Sequence, residues 1–344
     1  MRIKITDIAD RLGISKTTVS LALNHKPGIS EETRAKIIAC KEEMLREGYT
    51  VYEHRVIKVL LFSLPPQLSR KVGDGFYQRM LSGIKEALHE SQFDLELLHL
   101  PDSAEGLLEG ARICNREKVA GVFLLASAYT AMPDALGLSA LNSFTMPVIL
   151  YDSDFHTIKY DQVRADNEEA VQIALRYCMH AGHKHIVYLS SGKGEYYNIR
   201  KREECAEKFK EDYKNKGIRL EIVTVGDQAF LNVEKELEEY FRREKELPTA
   251  FVADNQATSA LLLEQLEKNG LQVPEDCSVI GIDPPNTLNK NQKRLTYVDL
   301  LDESRGLFAA RRLIDRVNGR AREIIRVAVS PVFVEGETVK RIII

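Results

Sequence analysis

The sequence lacks long apolar runs, and this absence limits where the protein works. No run approaches the roughly 20 apolar residues that a membrane-spanning helix needs. Charged side chains interrupt the N-terminal segment MRIKITDIADRLG too often for a signal peptide. We therefore expect no membrane partner, no export and a cytoplasmic location.

The sequence also lacks the motifs of metal sites and of common enzymes. Its five cysteines are scattered with no CxxC pair, which is typical of a reducing compartment. His180, His183 and His185 are close in sequence, but Gly182 separates a predicted helix from a predicted strand, so their rings should diverge. No P-loop, no GxGxxG after a strand and no GxSxG turn occurs. We expect no metal, no cofactor and no enzymatic activity.

The 344 residues are too many for one ordinary core, so two or three domains are expected.

The charge balance differs along the chain. The net charge is −3, yet residues 1–55 contain ten Lys and Arg against eight Asp and Glu, and the remainder is acidic. A mildly basic N-terminal part permits DNA contact there and disfavours it elsewhere.

The sequence predicts short helices in residues 1–49, a polar linker in residues 50–55 and an α/β fold in residues 56–344. From Val56 onward, apolar strand-like runs alternate with amphipathic helical stretches, as in a parallel sheet. Two consecutive series of similar period predict two Rossmann-like lobes arranged side by side. The strand candidates are 56–63, 93–100, 119–126, 147–152, 185–190, 220–225, 250–253, 278–283, 326–328 and 332–334. The helix candidates are 76–90, 104–117, 203–216, 233–243, 258–269 and 302–318. Lobe 1 should span about 56–157 and 302–324, and lobe 2 about 158–301 and 325–344.

The N-terminal segment has the spacing of a helix-turn-helix. Thr6 and Ser15 are N-cap candidates for two successive helices, and Gly13 lies where the chain must turn between them. Val19 and Leu23 mark the inward face of the second helix. Ser30 begins a third helix that reaches about Glu47. The polar outward face of the second helix suits phosphate and base-edge contacts. The predicted DNA-contacting residues are Lys4, Thr6, Ser15, Lys16, Thr17, Thr18, Ser20, Leu21 and Asn24.

This segment resembles the lactose/galactose repressor family of bacterial transcription regulators. The similarity lies in the strings TDIA at 6–9, GIS at 13–15, TVS at 18–20, LN at 23–24 and ISEETR at 29–34. The resemblance implies a recognition helix in the major groove, with base contacts from Lys16, Thr17 and Leu21. Most members carry Arg where this chain has Leu21, and leucine can touch a thymine methyl but cannot bond to guanine. The sequence after Gly48-Tyr49 also lacks the family's hinge-helix pattern, so we expect the wedge into the minor groove to be missing.

The resemblance extends over nearly the whole body. It lies in VRADN at 163–167, AGHKHIV at 181–187, the segment 270–283 and LTYV at 295–298. It implies a fold of the periplasmic-binding-protein type, with two lobes joined by three crossovers and a ligand cleft at the carboxyl ends of the strands. Carboxylates suit adjacent hydroxyls of a sugar, and an aromatic side chain suits its ring. The predicted ligand-binding residues are Phe76, Tyr77, Asp152, Arg202, Asp254, Asn255 and Asp283, with Phe230 as a further aromatic candidate.

Taken together, these features predict a ligand-responsive, sequence-specific transcription regulator. It should repress carbohydrate-utilisation genes as a homodimer on double-stranded operator DNA, with a sugar-like effector between the lobes. Two alternatives remain open. The protein could be a small-molecule binding protein that has lost DNA recognition, or its effector could be a purine, since aromatic side chains suit either ligand.

Overall fold

The chain consists of two compact units. The computed structural model describes residues 2–3, 5–23, 26–47, 50–51, 55–62, 75–89, 91, 93–101, 103–125, 135–153, 160–192, 197–226, 232–244, 246–285 and 293–342. Residues 1–55 with 92–94 form one unit, which we call the head, and the remaining residues form the other, which we call the body. Among the described residues, no helix combines the length and the apolar character needed to cross a membrane.

The head is a three-helix bundle with a small apolar core. Its helices are α1 (Ile5–Leu12), α2 (Lys16–Leu23) and α3 (Glu31–Arg46). Ile8, Val19 and Ile37, one from each helix, are at most 1% exposed and pack together. The chain turns between α1 and α2 at Gly13, whose φ of +66° would strain any residue with a Cβ. The predicted helix-turn-helix is confirmed.

The helix starts agree with the predicted caps at two places and differ at one. The Oγ of Ser15 accepts a hydrogen bond from the backbone N–H of Thr18 at 3.1 Å, and Ser30 caps α3 in the same way. The prediction for Thr6 was wrong, because α1 begins at Ile5 and Thr6 lies inside its first turn. A residue with helical dihedrals cannot take the extended conformation of an N-cap. The Thr6 hydroxyl donates instead to Asp7 at 3.4 Å.

Two short strands connect the ends of the head. β1 (Arg2–Ile3) and β2 (Thr50–Val51) pair in parallel, with Arg2 opposite Thr50 and Ile3 opposite Val51. β1 precedes α1, and β2 lies between α3 and the first strand of the body. The described part of the linker is therefore extended.

The body alternates strands and helices. Its strands are β3 (Arg55–Phe62), β4 (Phe93–Leu100), β5 (Gly121–Leu125), β6 (Val148–Tyr151), β7 (Asp161–Ala165), β8 (His185–Ser190), β9 (Arg219–Thr224), β10 (Ala250–Ala253), β11 (Ser278–Ile282), β12 (Thr296–Asp299), β13 (Arg326–Val329) and β14 (Val332–Val334). Its helices are α4 (Gly75–His89), α5 (Ala104–Glu117), α6 (Ala135–Asn142), α7 (Asn167–His180), α8 (Tyr197–Tyr213), α9 (Val233–Arg243), α10 (Gln256–Lys268) and α11 (Asp302–Val317).

The strands form two six-stranded sheets of matching order. The first is β13-β7-β6-β5-β3-β4 and the second is β14-β12-β11-β10-β8-β9. In this order β6 of the first sheet corresponds to β11 of the second. The chain passes from one sheet to the other after β7, after β12 and between β13 and β14. Two lobes of parallel-sheet type are thus joined by three crossover segments.

The lobe boundaries differ from the predicted ones at two strands. The sequence assigned 158–301 and 325–344 to lobe 2, but β7 pairs with β6 and β13 pairs with β7. Both strands therefore belong to the first sheet. The sequence of a strand of four or five residues does not identify the lobe that contains it. Only its hydrogen-bonded pairing shows to which sheet the strand belongs.

Four elements of the body have no counterpart among the predicted strands and helices: β7, β12, α6 and α7. β7 shows why, since its sequence contains Asp161, Gln162 and Arg164 and has no apolar run. Asp161 and Gln162 are nevertheless at most 1% exposed. The Asp161 carboxylate accepts from Arg312 at 2.7 Å and from the N–H of Ile325 at 2.8 Å. Burial of this polar strand depends on partners that are distant in sequence.

Two glycines bring α4 and α11 into close contact in the first lobe. A Cβ on Gly83 would lie 1.9 Å from the carbonyl oxygen of Glu303, and a Cβ on Gly306 would lie 2.3 Å from that of Met80. α11 begins directly after the second crossover, so this contact fixes the start of α11 against α4.

Candidate DNA-reading face and effector site

Helix α2 is held at both ends by polar contacts within the head. At its start, Ser15 and Thr18 share a hydrogen bond of 2.8 Å between their hydroxyls. At its end, the guanidinium of Arg34 donates to the carbonyl oxygens of Ala22 at 3.0 Å and Lys26 at 2.9 Å. It also reaches the carbonyl of Leu21 at 3.4 Å. A cation at the last carbonyls of a helix stabilises its C-terminus.

The predicted DNA-contacting residues of α2 differ in exposure. Lys16 and Thr17 are exposed, whereas Thr18, Ser20 and Leu21 are half-buried. A methyl carbon of Leu21 lies beside Gly28, within van der Waals distance of where a Cβ would stand. Ser15 is exposed and Thr6 is half-buried, while Lys4 and Asn24 lie outside the described residues.

We expect Arg34→Ala to weaken the head at the C-terminal end of α2. The side chain is 13% exposed and donates to three carbonyls. Hydrogen bonds from a charged group contribute about 1.5–3 kcal/mol. Hydrogen exchange in the full chain should show the α2 amides less protected by about this free energy, and operator affinity should fall. Arg46→Ala on the exposed side of α3 is the control, and equal protection in both variants contradicts the prediction.

Asp152 and Asp283 occupy corresponding positions in the two lobes. Asp152 follows β6 and Asp283 follows β11, and both have positive φ, +59° and +74°. The N–H of Asp152 donates to Val163 at 2.9 Å, and that of Asp283 donates to Val298 at the same distance. Both carboxylates therefore lie at the carboxyl end of a sheet, where open α/β sheets bind ligands.

Arg305 neutralises the aspartate of the first lobe. Its guanidinium donates to Asp152, to Asp302 at 2.5 Å and to the carbonyl of Leu300 at 2.9 Å. The same group lies 4.9 Å from the ring centroid of Tyr151. Arg305 and Asp152 are 1% and 3% exposed. The predicted ligand residue Asp152 is thus engaged with the start of α11.

Asp302 links the second crossover to α4. Its other carboxylate oxygen accepts from Arg79 at 2.9 and 3.1 Å, and its carbonyl accepts from the Tyr151 hydroxyl at 3.1 Å. Burial raises the pKa of the Tyr151 hydroxyl well above its ordinary value, so this phenol remains a donor. Arg79, Asp302 and Arg305 were not among the residues predicted from the sequence. The signal in the sequence was an Asp and an Arg three residues apart at the start of a helix.

Asp283 differs from Asp152 because one of its carboxylate oxygens has no hydrogen-bond partner in the part of the chain that the structure describes. Oδ1 is buried without a hydrogen bond among the described residues, and the whole residue is 7% exposed. Burial and the charge of Asp302 raise the pKa of Asp283 to about 7, against the opposing influence of Arg202, Arg79 and Arg305. The groups that act on this carboxyl therefore come from both lobes. A buried acceptor without a partner costs free energy and suits a bound ligand.

Asp254, at the end of β10, is held by its own lobe. Its Oδ2 accepts from the N–H and the hydroxyl of Ser191 at 2.7 and 2.8 Å, and its carbonyl accepts from Arg202. Arg202 also donates to Asn167 at 2.8 Å. Burial raises the pKa of Asp254 to about 6. Asn255 accepts from the N–H of Thr258 at 2.9 Å and caps α10.

The remaining predicted ligand residues are aromatic. Phe76 and Tyr77 begin α4, are half-buried and meet edge-to-face at 5.3 Å between ring centroids. Phe76 also lies 6.3 Å from the ring of Tyr151, next to Asp152. Phe230 lies outside the described residues. The structure therefore places Phe76 beside the carboxyl end of β6.

Two further buried polar atoms at strand ends have no partner among the described residues. They are Oγ of Ser153, which follows Asp152, and Nε2 of Gln256, which follows Asn255. They come from different lobes and, with Asp283, offer a hydroxyl, an amide donor and a carboxyl. The part of the chain that the structure describes contains no cluster of three His, Cys, Asp or Glu suited to a metal ion. His183 and His185 are instead bonded to the carbonyl of Lys340 and to Glu221.

Comparison with known proteins agrees with this architecture. Residues 4–45 match the model of bacterial regulatory proteins of the lacI family, and residues 175–339 match a periplasmic binding protein-like domain. The HTH-type transcriptional repressor PurR of Photobacterium profundum is 24% identical over 317 residues, which cover 87% of this chain and 91% of that protein.

Solved structures share the fold. The lac repressor dimer bound to operator and the anti-inducer ONPF has a TM-score of 0.70 at 18% identity, covering 99% of this chain and 100% of that one. The complex of the transcriptional regulator CelR with cellobiose has a TM-score of 0.66 at 21% identity, covering 98% and 100%.

A helix-turn-helix head followed by a two-lobed binding body defines a class of DNA-binding transcription regulators. This chain carries a helix-turn-helix domain of the lacI family at residues 4–45 and a periplasmic-binding-protein-like domain at residues 175–339.

Proposed function

We propose that this protein is a ligand-responsive repressor of carbohydrate-utilisation genes that acts as a homodimer in the cytoplasm. A sugar-like effector binds between the lobes and changes how the two heads of the dimer engage operator DNA. The observation that carries the proposal is the buried Asp283 carboxyl, which has an unpartnered oxygen and responds to charges from both lobes.

The chemistry of the strand ends suits a polyhydroxylated ligand. Adjacent hydroxyls of a sugar donate to carboxylate oxygens such as Oδ1 of Asp283 and accept from amide donors such as Nε2 of Gln256. Oγ of Ser153 offers a contact from the other lobe. A ligand that satisfies atoms of both lobes binds one inter-lobe arrangement better than another, which is what an effector must do.

A purine is the second candidate effector. Several curated relatives bear the name PurR. A carboxyl whose pKa lies near 7 can donate as well as accept a hydrogen bond at neutral pH, which suits the edge of a nucleobase. Phe76 would lie against the flat face of either ligand.

The dimer rests on the geometry of DNA recognition. A single short recognition helix makes few contacts, and two half-sites read together bind far more tightly. Helix α4 is the interface element we favour in the first lobe. Leu97 on the edge strand β4 is 47% exposed and Phe308 on α11 is 42% exposed. The same lobe therefore exposes apolar side chains that a dimer interface would bury.

The test is a ligand screen by thermal unfolding on the full chain, with sugars, sugar phosphates and purines as probes. A true effector at 100 times its Kd stabilises the protein by about 2.7 kcal/mol. Asp283→Asn should lower the affinity about 10- to 100-fold, since a hydrogen bond to a charged group is lost. Asp212→Asn, on the exposed side of α8 in the same lobe, should bind normally.

Each outcome separates the candidate functions. A shift with sugars alone supports the first proposal, and a shift with purines alone supports the second. Equal binding by Asp283→Asn and Asp212→Asn rules out the site.

In parallel, a mobility-shift assay on the DNA upstream of the protein's own gene tests the head. Binding without sequence preference at moderate salt would make the protein a binding protein that has lost DNA recognition.

A further inference from the structure

The buried charges at the carboxyl ends of the strands do not balance. Among the described residues there, the acidic side chains that are at most 7% exposed belong to Asp152, Asp254, Asp283 and Asp302. The guanidinium groups whose charge acts on Asp283 belong to Arg79, Arg202 and Arg305. When all of these groups are ionised, the carboxylates outnumber the cations by one.

Two of the cations are held by the same aspartate. Asp302 accepts from Arg305 at 2.5 Å through Oδ1 and from Arg79 at 2.9 and 3.1 Å through Oδ2. Arg305 also donates to Asp152. Two guanidinium groups and two carboxylates thus form a group whose charges cancel.

The third cation, Arg202, is turned toward the second lobe's own aspartate. It donates to the carbonyl oxygen of Asp254 and to Asn167 at 2.8 Å. The Asp254 carboxylate accepts from Ser191 through Oδ2 and from the amide of Asn255 at 3.0 Å through Oδ1. Arg202 therefore compensates the charge of Asp254, whose hydrogen bonds come from neutral donors. Asp283 is the buried acid that remains without a cation of its own.

The surroundings of Asp283 favour a positive charge on a ligand. Its Oδ1 is buried without a hydrogen bond in the part of the chain that the structure describes. Burial and the charge of Asp302 raise the pKa of Asp283 to about 7. A buried charge without a counter-ion is unfavourable, and a bound cation offsets this cost. An anionic ligand would instead add a charge of the same sign.

The other buried polar atoms without partners among the described residues are uncharged. They are Oγ of Ser153 in the first lobe and Nε2 of Gln256 in the second. A hydroxyl group can both donate and accept and therefore suits either atom. A simple alkylamine would leave both atoms unpaired, whereas a hydroxylated amine can satisfy them together with Asp283.

We propose that the effector of this protein is a hydroxylated ligand with a protonated amine, of the amino-sugar class, and that Asp283 binds its ammonium group. This inference rests on the proposed function, because it concerns the same effector site between the lobes. An ammonium group carries three donors, so it can donate to Oδ1 of Asp283 and to a further acceptor. The same charge discriminates against sugar phosphates.

The test compares matched probes by calorimetry on the full chain at pH 7. Each series consists of a hexosamine, its parent hexose, its N-acetyl derivative and the hexosamine 6-phosphate, in the gluco, galacto and manno configurations. Hydrogen bonds between charged groups are stronger than neutral ones, so in at least one series the amine should bind about tenfold more tightly than the parent and the N-acetyl derivative. The phosphate should bind more weakly than the unphosphorylated amine.

A pair of variants assigns this preference to one carboxyl group. In Asp283→Asn the amine should bind no more than about twofold more tightly than the parent hexose, because a neutral amide does not compensate a charge. Asp212→Asn, on the exposed side of α8, should keep the preference of the native protein. The ratio of two affinities in the same variant is insensitive to a change in its stability.

The outcomes separate this inference from the proposed function. An uncharged sugar, a sugar phosphate or a purine that binds more tightly than every amine overturns the inference and leaves the effector site in place. A preference for the amine that persists in Asp283→Asn also overturns it. Absence of binding by every sugar, amine and purine counts against the proposed function itself and overturns this inference with it.

Discussion

Replacing Arg305 with leucine should lower the free energy of unfolding of the body by about 3–5 kcal/mol, the cost of breaking a buried ion pair by removing one partner. Arg305 is 1% exposed and lies between the carboxylates of Asp152 and Asp302, which are themselves at most 3% exposed. Without the guanidinium, both buried carboxylates lose the cation that they share, while Arg79 remains paired with Asp302. This is the largest effect that we expect from a single substitution.

Chemical denaturation of the full chain at neutral pH measures this loss. Arg311→Leu is the control, since Arg311 lies on the exposed side of the same helix and should change the stability by less than about 0.5 kcal/mol. A difference of under about 1 kcal/mol between the two variants would show that Arg305 does not carry the charge balance at the second crossover.

Asp283→Asn should stabilise the ligand-free protein at pH 8 by about 1–3 kcal/mol, because it replaces a buried carboxylate by a neutral amide of the same shape. Oδ1 of that carboxylate has no hydrogen-bond partner among the described residues. The pKa of Asp283 is raised from 3.8 to about 7. Between these values the folded state binds more protons than the unfolded state, so the stability of the native protein falls as pH rises. The gain from the substitution should therefore be absent near pH 4 and complete above pH 7.

Unfolding free energies at several pH values, compared with those of Asp212→Asn, isolate this effect. Asp254, whose pKa is raised to about 6, adds a slope of the same sign to every variant and cancels in the comparison. A stability difference that does not change with pH contradicts the raised pKa of Asp283. Together with the predicted loss of effector binding, the gain would identify Asp283 as a residue kept for function at a cost in stability.

The head and the alternation of the body were predictable from local sequence. Gly13, Ser15 and the spacing of Val19 mark a turn, a cap and a buried face within a few residues, and the structure has each of them. Thr6 failed as a cap because helix starts are uncertain by a residue or two without the coordinates. Asp152 and Asp283 were placed correctly at strand ends, since apolar runs ending in Asp are visible in sequence.

The residues that distinguish the two aspartates were not predictable. Arg305 lies 153 positions from Asp152 along the chain, and Asp302 meets Arg79 across 223 positions. Nothing in either local sequence indicates such a partner, because a single Arg on a helix is usually solvated. The lobe of β7 and β13 was not predictable either. It depends on which strands they pair with, and local sequence does not show that pairing.

The amino-acid sequence by itself determined a helix-turn-helix followed by two alternating α/β series, because caps, turns and apolar periodicity act over a few residues. Only the tertiary structure decided that one aspartate of the pair is neutralised and the other keeps an unpartnered oxygen. It also decided that Thr50 and Val51 of the linker pair as a strand with Arg2 and Ile3. Both outcomes depend on which distant segments meet, and that is fixed by packing and burial and not by local preference.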